Sequence, residues 1–159
     1  MKTKENFKKL CSFYVSDIHF GTMILPYISR KIEEKNDVYT IFEKDMNKNI
    51  EELLSGLSLN KDKKEEIRNI DWNRKTDKKE IKKYIGNMKK NNDVVLVMGD
   101  KKYIDKTNRK IEKQIKRNEL KEVTIVNCYN IDIFNKNMVE ILKNHNGIVN
   151  TSGERKIEV

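Results

Sequence analysis

The stretch Ser16-Asp17-Ile18-His19-Phe20-Gly21 carries the residue types most able to do chemistry in this chain. An aspartate and a histidine separated by one residue offer a carboxylate and an imidazole to a metal ion. Gly99-Asp100, directly after the apolar run VVLVM, supplies a second carboxylate, and Asn144-His145 a further imidazole. Groups of this kind hold two metals about 3.5–4 Å apart in enzymes that activate water against a phosphoester. His19 and His145 are the only histidines, and a dinuclear centre needs more imidazoles than two. In a right-handed β-α-β unit the helix runs back to the amino edge of the sheet. That places His145, at the end of a helix, away from His19, which follows a strand.

The letters at 16–21 are similar to the first metal-binding motif of the calcineurin-like metallophosphoesterases, which makes a metal-dependent phosphoesterase the enzymatic alternative. A mononuclear metal site at Asp17, His19 and Asp100 is its reduced form. The competing expectation is that Asp17 and Asp100 serve helix N-termini, where short polar side chains satisfy free N–H groups. Other catalytic signatures are absent. The chain has no GxxxxGK[ST], GxGxxG or GxSxG, so neither a phosphate-cradling loop nor a nucleophile elbow is expected. Cys11 and Cys128 are isolated thiols without metal spacing and read as small buried hydrophobes in a reducing compartment. No cofactor is expected.

The elements that must position these residues follow from periodicity. Leu10–Val15 reads as a strand after a polar, frayed lead-in at 1–9. A helix follows with Phe20, Met23, Ile24, Tyr27, Ile28 and Ile32 inward, with Thr22 as its cap so that Pro26 falls in the first turn. Val38–Phe42 is a second strand, and Met46, Ile50, Leu53, Leu54 and Leu57 stripe a second helix. Ser58–Asn92 is highly charged and gives a weak signal. In it, Ile81, Tyr84, Ile85 and Met88 are helically spaced, and Trp72 anchors a loop or a short strand. Val94–Met98 is apolar throughout and so buried on both faces. A helix over Tyr103–Arg117, a strand Val123–Val126 and a helix with Phe134, Met138, Ile141 and Leu142 come next. Gly147–Val149 and Lys156–Val159 close the chain as an edge pair turning at Ser152-Gly153. Alternating strands and helices give an α/β domain over 1–159, three layers with a mainly parallel sheet and helices on both faces.

Composition bounds the partners. The 159 residues are 36% hydrophobic and 37% charged, with a formal net charge of +9. Acidic residues interrupt nearly every basic run, as in KDKKEE and KIEKQIKRNELKE, which describes salt-bridged helix faces and not a track for a nucleic-acid backbone. A nucleic-acid-binding adaptor is therefore a third reading, below the other two. No apolar run is long enough for a membrane span, and the amino terminus lacks the apolar core of a signal peptide. A cytoplasmic location is expected.

The carboxyl half, VTIVNCYNIDIFNKNMVEILKNHNGIVNTSGE, resembles the end of the MEDS (methanogen/methylotroph DcmR sensory) domain family. That family shows Cys-x-Tyr-Asp after a strand, then a Phe, a helix ending in His-Pro and a closing Gly-Glu. Cys128-Tyr129-Asn130 is a compressed version, and Phe134, His145, Gly153 and Glu154 match, with Asn146 in place of the Pro. Cys11, Tyr14 and the strand VYTIF are similar to the family's front half, and Lys9 and Ser12 stand where its first-strand histidines fall. VVLVMGD is similar to its penultimate strand. The resemblance implies a RecA/KaiC-like fold without a Walker A loop and a non-enzymatic sensory role for a small organic ligand. A chain of this length has no room for an output domain, so signalling would pass through a protein partner, such as a kinase or regulator, or through self-association.

Ligands of open α/β sheets collect outside the carboxyl ends of the strands. Three polar clusters follow strands here: Ser16-Asp17 with His19, Gly99-Asp100, and Asn127 to Asn130. The expected ligand-binding residues are Tyr14, Asp17, His19, Asp100, Cys128 and Tyr129, with Tyr14 and Cys128 near the wall of the crevice.

Overall fold

Residues Val94–Met98 are five consecutive buried apolar side chains, a pattern that only a strand covered on both faces can satisfy. In the computed structural model, which describes residues 7–131 and 138–157, this strand is β3 of a six-stranded sheet. The elements are β1 (Phe7–Tyr14), α1 (Asp17–Glu33), β2 (Val38–Phe42), α2 (Asn47–Ser55), α3 (Lys61–Arg68), α4 (Lys78–Ile85), β3 (Val94–Met98), α5 (Lys101–Arg117), β4 (Val123–Asn130), α6 (Met138–Lys143), β5 (Gly147–Asn150) and β6 (Gly153–Lys156). The sheet order is β2-β3-β4-β1-β5-β6, with only β6 antiparallel to its neighbour. The fold is three-layer α/β.

Strand alternation sends successive side chains to opposite helical layers. Val94, Leu96 and Met98 join Phe20, Ile24, Ile28, Ile50, Leu54 and Ile67 on the layer of α1, α2 and α3. Val95 and Val97 join Ile81, Ile85, Ile104, Ile111, Ile115 and Ile141 on the layer of α4, α5 and α6. Right-handed crossovers explain the division. The chain moves one way across the sheet from β1 to β2, and the other way from β2 through β3 and β4 to β5. Adjacent strands β1 and β4 therefore lead out in opposite directions, which makes their carboxyl ends the topological switch point.

Several boundaries differ from the sequence expectation. Phe7–Lys9 are not a frayed lead-in but the start of β1, because Val123, Thr124 and Ile125 of β4 pair with them. Helix α1 is capped by Ser16, whose Oγ accepts from the His19 N–H at 3.1 Å, and not by Thr22. Pro26 consequently lies well inside the helix. The large apolar side chains that α1 buries, Phe20, Met23, Ile24, Leu25, Tyr27 and Ile28, at about 1.5–3 kcal/mol each, outweigh the roughly 3 kcal/mol that an interior proline costs. Helix α5 starts at Lys101, two residues early, because Asp100 caps it. Strand β4 continues to Asn130, since all of β1 is available to pair with it.

The weakly patterned stretch contains α3 and α4, and Trp72 anchors the loop between them. Trp72 is buried, and its indole N–H donates to the Ile67 carbonyl at 2.8 Å. This loop runs beside the outer edge of β2: Lys75 N–H donates to Phe42 O at 2.8 Å and Arg74 bridges Phe42. The final hairpin turns at Thr151-Ser152, one residue earlier than expected, so β6 is Gly153–Lys156. The expected inward Phe134 and the last two residues of the expected edge strand lie outside the described residues. No helix among the described residues is long and apolar enough to cross a membrane.

Candidate functional site

Because β3, β4 and β1 are neighbours and parallel, Asp100, Asp17 and His19 all stand at the carboxyl edge. Each is engaged locally. Asp17, in the first turn of α1, pairs with Lys44. His19 Nδ1 accepts the Val15 N–H at 3.0 Å. Asp100 Oδ1 accepts the Tyr103 N–H at 2.7 Å, and the Asp100 N–H donates to Glu43 Oε1 at 3.0 Å. Among the described residues no group of three or more His, Cys, Asp or Glu could hold a metal. Parallel strands bring Asp17, His19 and Asp100 of the mononuclear alternative to one edge, but the three do not form such a group. His19 belongs to α1 on one layer and His145 follows α6 on the other, so the two imidazoles share no site. A phosphate is also poorly served at the start of α1, where the Ser16 hydroxyl occupies an N–H and the Asp17 carboxylate repels an anion.

The remaining expected residues divide between the layers. Tyr14 and Cys128 are buried in the α1 layer, with the Tyr14 and Phe20 rings edge-on at 5.2 Å. Tyr129 is buried in the α5 layer. Burial pushes the Cys11 thiol up to about 12 and the Cys128 thiol higher still, so neither is a nucleophile near neutrality.

Around Tyr129 the sheet carries polar groups in place of the apolar side chains its periodicity demands. Asn127 of β4 is 1% exposed and Asn108 of α5 is 4% exposed. Their amides exchange two hydrogen bonds, each 2.8 Å long. The second N–H of Asn108 donates to the Ile104 carbonyl at 2.9 Å, and Asn127 Nδ2 lies 3.0 Å from His145 Nε2. His145 Nδ1 in turn meets the Ile141 carbonyl oxygen.

These contacts fix every orientation in sequence. The Ile104 oxygen can only accept, which turns the N–H side of the Asn108 amide toward it; Asn108 sets Asn127; and Asn127 then presents an N–H to His145. Nε2 must therefore accept, and the ring proton sits on Nδ1, donating to Ile141 O. Burial, aided by the charge of Lys9, holds the imidazole below its ordinary range, against the opposing hydrogen bond to Ile141 and the charge of Asp105. The Tyr129 ring stands edge-on to the imidazole at 6.0 Å.

Above this floor is a cavity of about 290 Å³. Lys9 of β1 and Glu112 of α5 face it with 3.7 Å between their charged atoms, and Lys101 pairs with Asp105 at 2.9 Å. Asn144 stands at its mouth. Of the expected ligand-binding residues, Tyr129 alone is among its lining residues. The sequence reading missed Asn108, although a signal existed: Asn108 lies four residues beyond Ile104 on the apolar stripe of α5, opposite a polar residue in an otherwise apolar strand.

The closing Gly-Glu pair has a different task. Gly153 adopts φ +103°, and a Cβ there would press on the Arg30 guanidinium. Glu154 accepts from the Tyr27 hydroxyl at 2.7 Å and from Lys8 at 2.6 Å, with Lys31 at 3.4 Å, which fastens the hairpin to α1 and β1.

No family model matches this sequence, and neither a curated protein nor a solved structure matches the chain.

Proposed function

We propose that this chain is a non-enzymatic, cytoplasmic sensory domain that binds a small polar organic molecule in the cavity between α5, α6 and β4. The observation that carries this reading is the cavity floor, a buried asparagine pair and a neutral imidazole with every orientation specified. Buried amides cost stability unless fully bonded, and an apolar pair would fill the same face more cheaply, so their presence beneath an open cavity fits recognition. The size suits a ligand at the small end of the range for bound organic molecules. The MEDS resemblance supports the reading, because Tyr129 and His145 carry two of its motifs and Lys9 stands where the family places a first-strand histidine. A RecA/KaiC-like ancestry without a phosphate loop is part of the same proposal, as is output through a kinase, a regulator or a second copy of this chain.

Native mass spectrometry of the purified protein tests it. Wild type should retain a small molecule that is lost from Asn144→Trp, in which an exposed rim residue is replaced by one that fills the cavity. If wild type retains nothing, or the variant retains the molecule equally, the cavity is not the binding site.

A further inference from the structure

His145 is bonded on both sides, and the two bonds demand opposite things of its nitrogens. Nδ1 must donate to the Ile141 carbonyl, and Nε2 must accept from Asn127. A proton arriving at Nε2 would face the Asn127 N–H donor across 3.0 Å. Turning the Asn127 amide over to accept that proton would require Asn108 to turn as well. Asn108 would then set its oxygen against the Ile104 oxygen, where its N–H now donates at 2.9 Å. One proton therefore breaks the whole relay and not one bond.

The relay also ties α6 inward, beside the packing of its buried Ile141. On the carboxyl side of α6, His145 bonds to β4 while Asn146 bonds to β1, through Lys9 N–H to Asn146 Oδ1 at 2.8 Å and Asn146 N–H to Lys9 O at 2.7 Å. Loss of the His145 contact leaves the Asn146 stitch and the packing of Ile141, and loosens the α6 side of the cavity.

We propose that His145 is a proton-operated latch on this cavity: with Nε2 bare it holds β4, α5 and α6 together, and with Nε2 protonated it releases α6. Its control of ligand binding rests on the cavity being the binding site; the latch itself does not. The titratable and charged groups facing the imidazole are Tyr129 from β4, Lys9 from β1, and Lys101, Asp105 and Glu112 from α5. The lining residues contributed by α6 and the turn after it, Ile141 and Asn144, are uncharged. The two cations oppose a further positive charge and the two carboxylates favour it. Each is partly exposed and paired with an opposite charge, so the buried relay decides the preference.

Nitrogen-15 NMR of the full chain tests the latch without any ligand. His19, whose Nδ1 accepts the Val15 N–H, provides an internal reference, because the two histidines should occupy opposite tautomers: His19 with its proton on Nε2 and His145 with its proton on Nδ1. On acidification, the side-chain amide resonances of Asn108 and Asn127 should shift together, in step with His145 protonation. In Asn127→Asp, a carboxylate replaces the donor and His145 should carry both protons at pH 7. A His145 protonated on Nε2 in the neutral wild type, or one that takes up a proton while both asparagine amides stay unmoved, overturns the latch. The wild-type titration decides the matter even if Asn127→Asp fails to fold. A wild type that shows the latch but retains no small molecule removes the ligand reading alone.

Discussion

Asp93, the residue before β3, is 1% exposed, and its Oδ2 has no hydrogen-bond partner among the described residues. Burial, and secondarily the charge of Asp37, raise its carboxyl to about 6 from an ordinary value of 3.8. Between about pH 4 and 6 the folded chain therefore holds a proton that the unfolded chain releases. Stability from this group is complete below the unfolded value and declines as pH rises through about 6. Asp93→Asn should gain about 2 kcal/mol over wild type at pH 7.5 and match it near pH 4, as read from urea midpoints at the two pH values. An equal effect at both would show that folding leaves the titration of Asp93 unshifted. At this scale the sequence was a poor guide. Asp17, His19 and Asp100 spell a metal motif, yet one hydroxyl cap, one ion pair and two backbone hydrogen bonds account for them. Asp93 and Asn108 look like ordinary polar residues until the sheet buries them.

Helix α1 shows an element overruling its own propensities. Pro26 is exposed within the helix, so its ring removes a backbone donor without adding to the core. Pro26→Ala should stabilise the fold by about 2 kcal/mol, the helix penalty less what proline saves by stiffening the unfolded chain, with a higher urea midpoint and an unchanged slope. A loss of stability would show that α1 depends on the bend proline imposes. β2 and β3 were legible to the residue because they are short apolar runs with polar ends. β4 was not, since its last four residues are held by pairing with β1, a strand far away in sequence. α3 escaped because eight residues with a single buried apolar side chain, Ile67, carry almost no periodic signal.

In the whole molecule, Asp93 and His145 oppose one another. The depressed His145 contributes stability above its unfolded value of 6.5 that is lost as pH falls, while Asp93 loses stability as pH rises. Between about pH 4 and 6.5 the wild type should show a shallow profile, and Asp93→Asn should expose the acid-sensitive limb alone. A variant profile that still falls with rising pH across this window contradicts the pairing. The layer architecture was readable from strand and helix alternation, and the strand order was not, since order depends on pairings no local pattern encodes.

That order has a consequence for synthesis. β1 is translated first, yet its sheet neighbours are β4 and β5: Phe7 waits for Val123, and Leu10 for Gly147. Until then its backbone N–H and C=O groups have no strand on either side, while β2 and β3, which pair with each other, can already associate. A chain emerging from the ribosome thus carries an unpaired β-prone segment until β4 has been made, the condition under which nascent chains recruit chaperones or aggregate. Stalled nascent chains that end before β4 should be protease-sensitive across β1, and protection of β1 should appear only after β4 and β5 have cleared the exit tunnel. Early protection of β1 would mean that α1 alone can shelter it.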